Sequence, residues 1–405
     1  MKIYLSQPAL ICGAGSDAGE FFESLIRGSQ KGLRRLQCGK DADGNPQFFW
    51  AGQIADGLLK ATGDKYDSRF LQILDNVLNQ LISGGTVEKA LSRYGAEKVG
   101  ICLGQCDNGG ENSFEGHKAL WTEGAFPADY TLTAQGADYP VTYAARKLGT
   151  KGPALSFATA CSSSATAIIR ARDLILSGIC DAVIAGGADV ASATTLLGFN
   201  SLEAISPEKT NPFSKKRAGI TLGEGAAFFV LSRDDLDGAG LVLSGAGESS
   251  DASHMTAPLA DGSGAARAMQ AALDNAGLSA DDIDYINLHG TGTRLNDSME
   301  AKAVDRVFGG RAIPASSTKP MTGHTLGAAG ALELAACFCA IQEQKIPLHL
   351  WDGLFDDEIP RLNFVADARP QKEIRRCMSN SFAFGGCNAS LIIEKTAAEA
   401  YNKKV

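Results

Sequence analysis

Apolar residues along this chain come in short unbroken runs, and longer segments of helical period lie between them. The runs 98–104 (KVGICLG), 152–158 (GPALSFA), 181–187 (DAVIAGG) and 226–232 (AAFFVLS) have the length and glycine punctuation of buried strands. Segments 67–82 (DSRFLQILDNVLNQLI) and 161–176 (CSSSATAIIRARDLIL) read as helices. The second half continues in the same manner. Strands are predicted at 240–247, 284–290 and 312–318, and helices at 265–277 and 325–342. Such alternation predicts α/β layers, with helices covering a sheet.

The pattern also contains an echo. Segment 159–175, TACSSSATAIIRARDLI, can be laid beside 322–338, TGHTLGAAGALELAACF. In each, a reactive residue opens a helix rich in small side chains, just after a strand. Each half then closes through a glycine turn into an apolar strand, GEGAAFFVLS (223–232) and FGGCNASLIIE (384–394). The seam falls in 233–240, RDDLDGAG, dividing the chain into 1–236 and 237–405. On these grounds alone the echo has two explanations: related halves, or chance likeness of Ala/Gly-rich helices.

Composition narrows the class. The chain has 405 residues and a formal net charge of −8, which argues against nucleic acid or an anionic membrane as a default partner. The ten cysteines have no framework spacing, and no pair of them faces a second pair at zinc-ligand spacing. A reduced, cytoplasmic setting is expected. The opening MKIYLSQPALICGAG has one lysine and an interrupted apolar run, which reads as a strand entering a glycine turn and not as a signal peptide. No uncharged apolar run reaches about 18 residues, so no membrane span is expected. GAGSDA (13–18) fits a dinucleotide fingerprint, but no acidic residue ends a second strand about 20 residues later. The stretch 30–41, QKGLRRLQCGKD, reads as loop, and GAGSDA as a tight turn. No G-x-S-x-G elbow is present, so a serine hydrolase lacks its nucleophile.

Cys161 is the first candidate for chemistry. At a helix start, free backbone N–H groups and the helix dipole stabilise a thiolate, and the same N–H groups can hold an oxyanion. Small neighbours, from Ala158 to Ala165, allow a substrate and a second backbone to come close. The competing reading is a small buried hydrophobe. Two of the five histidines stand in unusual company. His289 ends a strand before a Gly/Thr turn, and His324 follows a glycine at a helix start, after Lys319. His117, His254 and His349 lack such company and are read as structural.

Taken together, ATACSSSATA (158–167), HGTGTRLND (289–297), SSTKPMTGHTLGAAGALE (316–333) and NSFAFGGCNASLII (380–393) resemble, in order, the four signature blocks of the β-ketoacyl-acyl-carrier-protein synthases with a Cys-His-His triad. NPFSKKRAGITLGEGAAFFVL (211–231) and SSDASHMTAP (249–258) resemble two further blocks. The resemblance spans nearly the whole chain. It implies the thiolase fold, an α/β architecture of two pseudo-repeated βαβαβαββ halves in a five-layer sandwich, usually dimeric.

The resemblance also implies roles. Cys161 takes an acyl chain from the phosphopantetheine of an acyl carrier protein. Neutral His289 and His324 donate to the malonyl thioester carbonyl and stabilise the enolate left by loss of CO2. The enolate carbon then attacks the acyl thioester, whose oxyanion rests on the backbone N–H groups of Cys161 and Phe384. No metal and no cofactor of the chain's own is expected. Lys319 pairs with Glu333 and orients the histidine side. Helical spacing puts Glu333 and His324 on opposite faces, with no direct contact between them. Thr291 and Thr293 bind the pantetheine arm, Asp297 and Glu300 brace the loop, and Phe384 gates the acyl chain.

Several positions depart from the family pattern. Ala383 replaces a glycine before the gate, and Cys387 stands where Thr is common. Ile220 and Ala218 replace Phe and Asp and can reshape the acyl pocket. Asn211 replaces an Arg expected to meet the carrier protein. Lys60, Lys65, Arg69, Lys209, Lys215 and Lys216 are candidate docking cations, with ordinary solvated charge as the alternative for each. The resulting expectation is decarboxylative condensation with malonyl-acyl-carrier protein, in fatty-acid or polyketide/aryl-polyene-like biosynthesis. Its partners are a carrier protein and either a second copy or a chain-length-factor homologue. Two rivals remain: a non-catalytic chain-length factor, against which Cys161 argues, and a thiolase acting on coenzyme A esters, against which the histidine pair argues.

Overall fold

Val99–Gly104 is buried at all six positions, so the strand it forms has no polar face and must be covered on both sides. In the computed structural model, which describes residues 1–40, 43–107, 109–370 and 372–396, that is what surrounds it. The strand pairs in parallel with Ala154–Phe157 and with Ala182–Asp189. Ala182–Asp189 pairs antiparallel with Gly225–Ser232, and Ala9–Cys12 lies antiparallel beyond that.

The second half repeats the scheme. Tyr285–Asn287 is parallel to Pro314–Ser316 and to Arg376–Phe382. Arg376–Phe382 runs antiparallel to Cys387–Lys395, which pairs antiparallel with Leu241–Ser250. The two-residue strand Tyr4–Leu5 sits between Gly225–Ser232 and Leu241–Ser250 and joins both halves along one path of a sheet that has 12 strands among the described residues.

Helices form layers on this path. Phe70, Leu74 and Val77 of helix Arg69–Ser83 pack on the outer face of the first half with Ile101 and Phe228. Met269 of helix Ser263–Ala276 and Val304 of helix Arg294–Phe308 pack on the outer face of the second with Ile286 and Met378. Between the two halves of the sheet lie helices Ser163–Leu176 and Ala329–Glu343. Small residues let them approach. The Ala331 N–H donates to Ser164 Oγ (3.0 Å), and a Cβ on Gly330 would lie 3.0 Å from that of Ala165. The run Leu326–Glu343 is long and apolar enough to cross a membrane by length and composition, but 89% of it is buried inside the protein. It is apolar all round because it is the central helix.

The echo is present in space, with a different register from the ungapped one. Each central helix follows a single 3-10 turn whose first residue is left-handed, Ala160 (φ 51°) and Leu326 (φ 48°). Ser163 therefore matches Ala329, three residues later than the simple overlay places it. Cys161 corresponds to Gly327, and His324 precedes its turn.

Two readings of local structure need correction. Residues 33–40, expected as loop, form a strand paired antiparallel with Pro46–Gly52. A register shift between Gln37 and Lys40 breaks the alternation that would have marked it. The strand expected over 284–290 ends at Asn287, because the next residues turn toward Glu300. GAGSDA is a tight turn, as expected: Cys12 and Gly15 exchange backbone bonds, and Asp17 caps helix Ala18–Arg27.

Candidate active site

Cys161 is buried at the centre of its 3-10 turn. Serine hydroxyls stitch that turn. Ser163 Oγ accepts from the Thr159 N–H (2.9 Å) and donates to the Ala160 carbonyl (2.6 Å), while Ser162 Oγ donates to the Thr159 carbonyl (2.9 Å). The left-handed φ at Ala160, a residue with a side chain, stores strain beside the nucleophile, on the order of 1 kcal/mol. The N–H groups of Cys161 and Phe384 point at the sulfur. These are the two donors expected for an oxyanion.

The expected thiolate is a correction. Burial pushes the Cys161 thiol up to about 11, against the lowering pull of Lys319 and the two N–H groups. At neutral pH the sulfur is a thiol, because desolvation outweighs the helix end.

Both imidazoles are buried and neutral. Burial drives His289 and His324 well below the usual imidazole range, helped by the nearby Lys319 ammonium. His324 Nδ1 accepts from the Leu326 N–H (3.3 Å), so the ring proton is on Nε2, which has no partner among the described residues. Lys319 Nζ lies 3.4 Å from His289 Nδ1 and donates to the His289 carbonyl, so Nδ1 faces an ammonium and the ring proton is on Nε2. The rings stand edge to face, centroids 5.3 Å apart. The Cys161 sulfur and one nitrogen of each ring lie within 4.8 Å of one another. The sequence separates these side chains by up to 163 positions; the fold brings all three together. A soft divalent ion would also find two nitrogens and a sulfur here.

Carboxylates fix this cluster from behind. Glu333 forms a buried ion pair with Lys319. Burial raises Glu333 to about 7, against the pull of Lys319. Glu300 accepts the N–H groups of His289 and Gly290, each at 2.7 Å. Asp297 accepts from Phe213 (2.7 Å) and Gly292 (3.2 Å). Both therefore brace the loop, as expected. One brace was not foreseen. Asp189, raised to about 7 by burial, accepts the N–H groups of Cys106 (2.9 Å), Asp107 (3.0 Å) and Gly327 (2.7 Å). It ties the end of Val99–Gly104 to the turn after His324. The one sequence signal for it is an acid closing the apolar run DAVIAGGAD.

Cys161, His289, His324 and Phe384 line one cavity of about 360 Å³, the size of a small-ligand site. Thr291, Thr293 and Ile220 line it too. Thr293 caps helix Arg294–Phe308, and its hydroxyl lies 3.1 Å from that of Thr291. Ile220 connects the wall to an apolar cluster with Phe49, Leu196 and Leu326. The Phe384 ring is half-buried, 5.6 Å from that of Phe199, and is followed by left-handed Gly385 and Gly386. Ala383 also lines the cavity. Lys319, Glu333 and Asp297 lie behind it.

Cys387, which stands where Thr is common, begins strand Cys387–Lys395 and does not line the cavity. Asn211 accepts from the Asp352 N–H (3.2 Å), so its side chain is engaged within the fold. Arg69 is a correction among the docking cations. It grips buried Glu224 through Nε (2.7 Å) and Nη2 (2.5 Å) and also meets Asp56. Its charge is committed inside the protein. Lys60, Lys65, Lys215 and Lys216 are exposed.

A sulfur, two donor imidazoles and two backbone N–H groups around one cavity define an acyl-transfer centre able to stabilise an enolate. The chain belongs to the beta-ketoacyl synthase family: residues 12–236 match its N-terminal domain and 241–350 its C-terminal domain. It is 34% identical over 406 residues to 3-oxoacyl-[acyl-carrier-protein] synthase 2 of Staphylococcus aureus (strain COL), covering 95% of this chain and 97% of that one. It is 36% identical over 312 residues to nodulation protein E of Rhizobium meliloti (strain 1021), covering 75% and 76%.

Among solved structures it is similar to the ketosynthase ApeO in complex with its chain length factor ApeC from Xenorhabdus doucetiae (TM-score 0.89, 35% identity, 98% of each chain). It is also similar to the ishigamide ketosynthase/chain length factor (TM-score 0.87, 27% identity, 98% and 99%). The fold is the thiolase fold of these ketosynthases, and the activity is that of a condensing acyltransferase.

Proposed function

We propose that the condensation proceeds on Cys161, with His289 and His324 as enolate-stabilising donors and malonyl-acyl-carrier protein as extender. The observation that carries this reading is the cluster of one sulfur and two imidazole nitrogens within 4.8 Å at the cavity wall. Acyl transfer exchanges thioesters: the carrier's pantetheine sulfur leaves as a thiol and takes up the Cys161 proton. With the thiol at about 11, that proton moves during transfer and is not lost beforehand. The two Nε2–H donors then hold the malonyl carbonyl as CO2 departs, and the new carbon–carbon bond expels the Cys161 sulfur as a thiolate, which takes up one proton from water to restore the thiol. Lys319, held by Glu333, keeps His289 neutral and oriented. Phe384 gates the acyl chain, Ile220 shapes its pocket, and Thr291 and Thr293 bind the pantetheine that the carrier brings. Exposed Lys215 and Lys216, beside the mouth-lining Ala218, are docking cations for an acidic carrier.

The acting unit is a dimer, with a second copy or with a chain-length-factor homologue. The edge strand Ala154–Phe157 exposes Leu155, and Trp121 and Leu132 are 92% and 76% exposed. Comparison structures in which a ketosynthase sits with its chain length factor favour the heterodimer. The half-chains meet at 236/237, a division that the two family matches support. All ten cysteines are free thiols, in keeping with the cytoplasm. The test is incubation with a panel of acyl-carrier thioesters, reading adducts on Cys161 by mass spectrometry. Adducts with a defined chain preference are expected. Acylation of any other residue, or of none with and without the partner chain, overturns the reading.

A further inference from the structure

Gly290, the residue after His289, has a left-handed φ of 35°, and a Cβ there would lie 2.6 Å from Ser317 Cβ and 3.0 Å from a ring carbon of Phe213. The catalytic turn is therefore gripped between two segments distant in sequence, 316–318 and 211–213. A third segment ties those two together. His349 Nδ1 accepts the Ser317 N–H (3.1 Å), and its Nε2–H donates to the Pro212 carbonyl (3.2 Å). Its ring lies flat on Phe364, centroids 4.1 Å apart. A ring that accepts at one nitrogen and donates at the other is neutral and in one tautomer. Burial agrees, holding His349 down to about 3.

The consequences reach the site in two bonds. Ser317 Oγ donates to the Gly290 carbonyl (2.7 Å) and accepts the Lys319 N–H (3.3 Å). Lys319 in turn touches both the ring and the carbonyl of His289. On the other side, left-handed Phe213 (φ 62°) gives its N–H to Asp297, which also holds Gly292.

We propose that His349 is a positioning residue for His289: its Nδ1 holds Ser317, and so sets the approach of Lys319 Nζ to the His289 ring, while its Nε2–H only secures the ring to the Pro212 segment. This rests on the reading of His289 as an enolate-stabilising donor.

Three variants separate positioning from mere packing. His349→Asn puts an amide oxygen near the place of Nδ1, His349→Gln an amide nitrogen near that of Nε2, and His349→Phe keeps only the stacking. For malonyl-carrier decarboxylation, His349→Gln is expected to lower kcat about tenfold or more with KM nearly constant. His349→Asn is expected to restore most of that loss, and His349→Phe to fall at least as far as Gln. Acylation of Cys161 stays near the wild-type rate in all three. Parallel losses in Asn and Gln that track melting temperature overturn the proposal, as does a Gln variant with wild-type kcat. If the wild-type chain fails to decarboxylate malonyl carrier, the functional reading falls instead. The positioning claim is then decided by nitrogen-15 NMR of the His289 ring. A shifted Nδ1 signal in Gln but not in Asn supports it, and unchanged signals in both overturn it.

Discussion

At 159–163 the chain presents a sulfur from a turn stitched by serine hydroxyls; at 322–329 it presents an imidazole from a turn anchored by main chain and by Asp189. Both turns start a central helix, and both carry a left-handed residue with a side chain at the same place, Ala160 and Leu326. On the proposed reading, they differ in what they leave free. The first keeps backbone N–H groups for an oxyanion, so hydroxyls supply the local bonds. The second keeps a ring Nε2–H for an enolate. It therefore occupies Nδ1 with the Leu326 N–H and ties the next N–H, that of Gly327, to a carboxyl from the other half. On that reading, one backbone device in two copies serves opposite faces of the same reaction: the electrophile in one half, the nucleophile's precursor in the other.

The sharpest way to break this division is to remove each side in turn. Cys161→Ala is expected to abolish acyl attachment while decarboxylation of malonyl carrier persists; label retained on the variant protein would end the separation of roles. His324→Ala is expected to block decarboxylation and leave Cys161 open to acylation, with intact-mass spectrometry as the check.

A smaller effect concerns the resting sulfur. With the thiol at about 11, its alkylation by iodoacetamide rises about tenfold per pH unit from 7 to 10, because deprotonation is what limits it. A plateau already at pH 7 would show a thiolate held by the helix end. The smallest effect concerns the left-handed pair. Ala160→Gly relieves strain and changes stability by no more than about 1 kcal/mol. Leu326→Gly removes a buried side chain and costs about 2 to 4 kcal/mol. Urea midpoints of the two variants compare the turns directly.

The chemistry was legible in the sequence where residue type and neighbours carried it. Cys161 among small residues, and His289 and His324 beside glycines, were visible as candidates, and the family resemblance joined them. The α/β alternation and the two halves were visible for a similar reason: buried strands have no choice but to be apolar. What escaped depended on burial. A helix-start cysteine reads as a thiolate until desolvation is known. Arg69 reads as a docking cation until Glu224 is found beneath it. Asp189 reads as the end of a strand until three N–H groups converge on it. The strand at 33–40 was missed because its register shift erases the period-two pattern. The overlay of the halves slipped by three residues because letters matched where backbone dihedrals did not.

Tyr4 pairs on one side with Ser232 and on the other with Val242. Two residues, Tyr4 and Leu5, therefore form the keystone of the joint sheet, wedged between a strand that ends at Ser232 and one that begins at Leu241. Contacts of such sequence separation form late and slowly. Closing the midline of the sheet thus depends on contacts that span more than half of the chain.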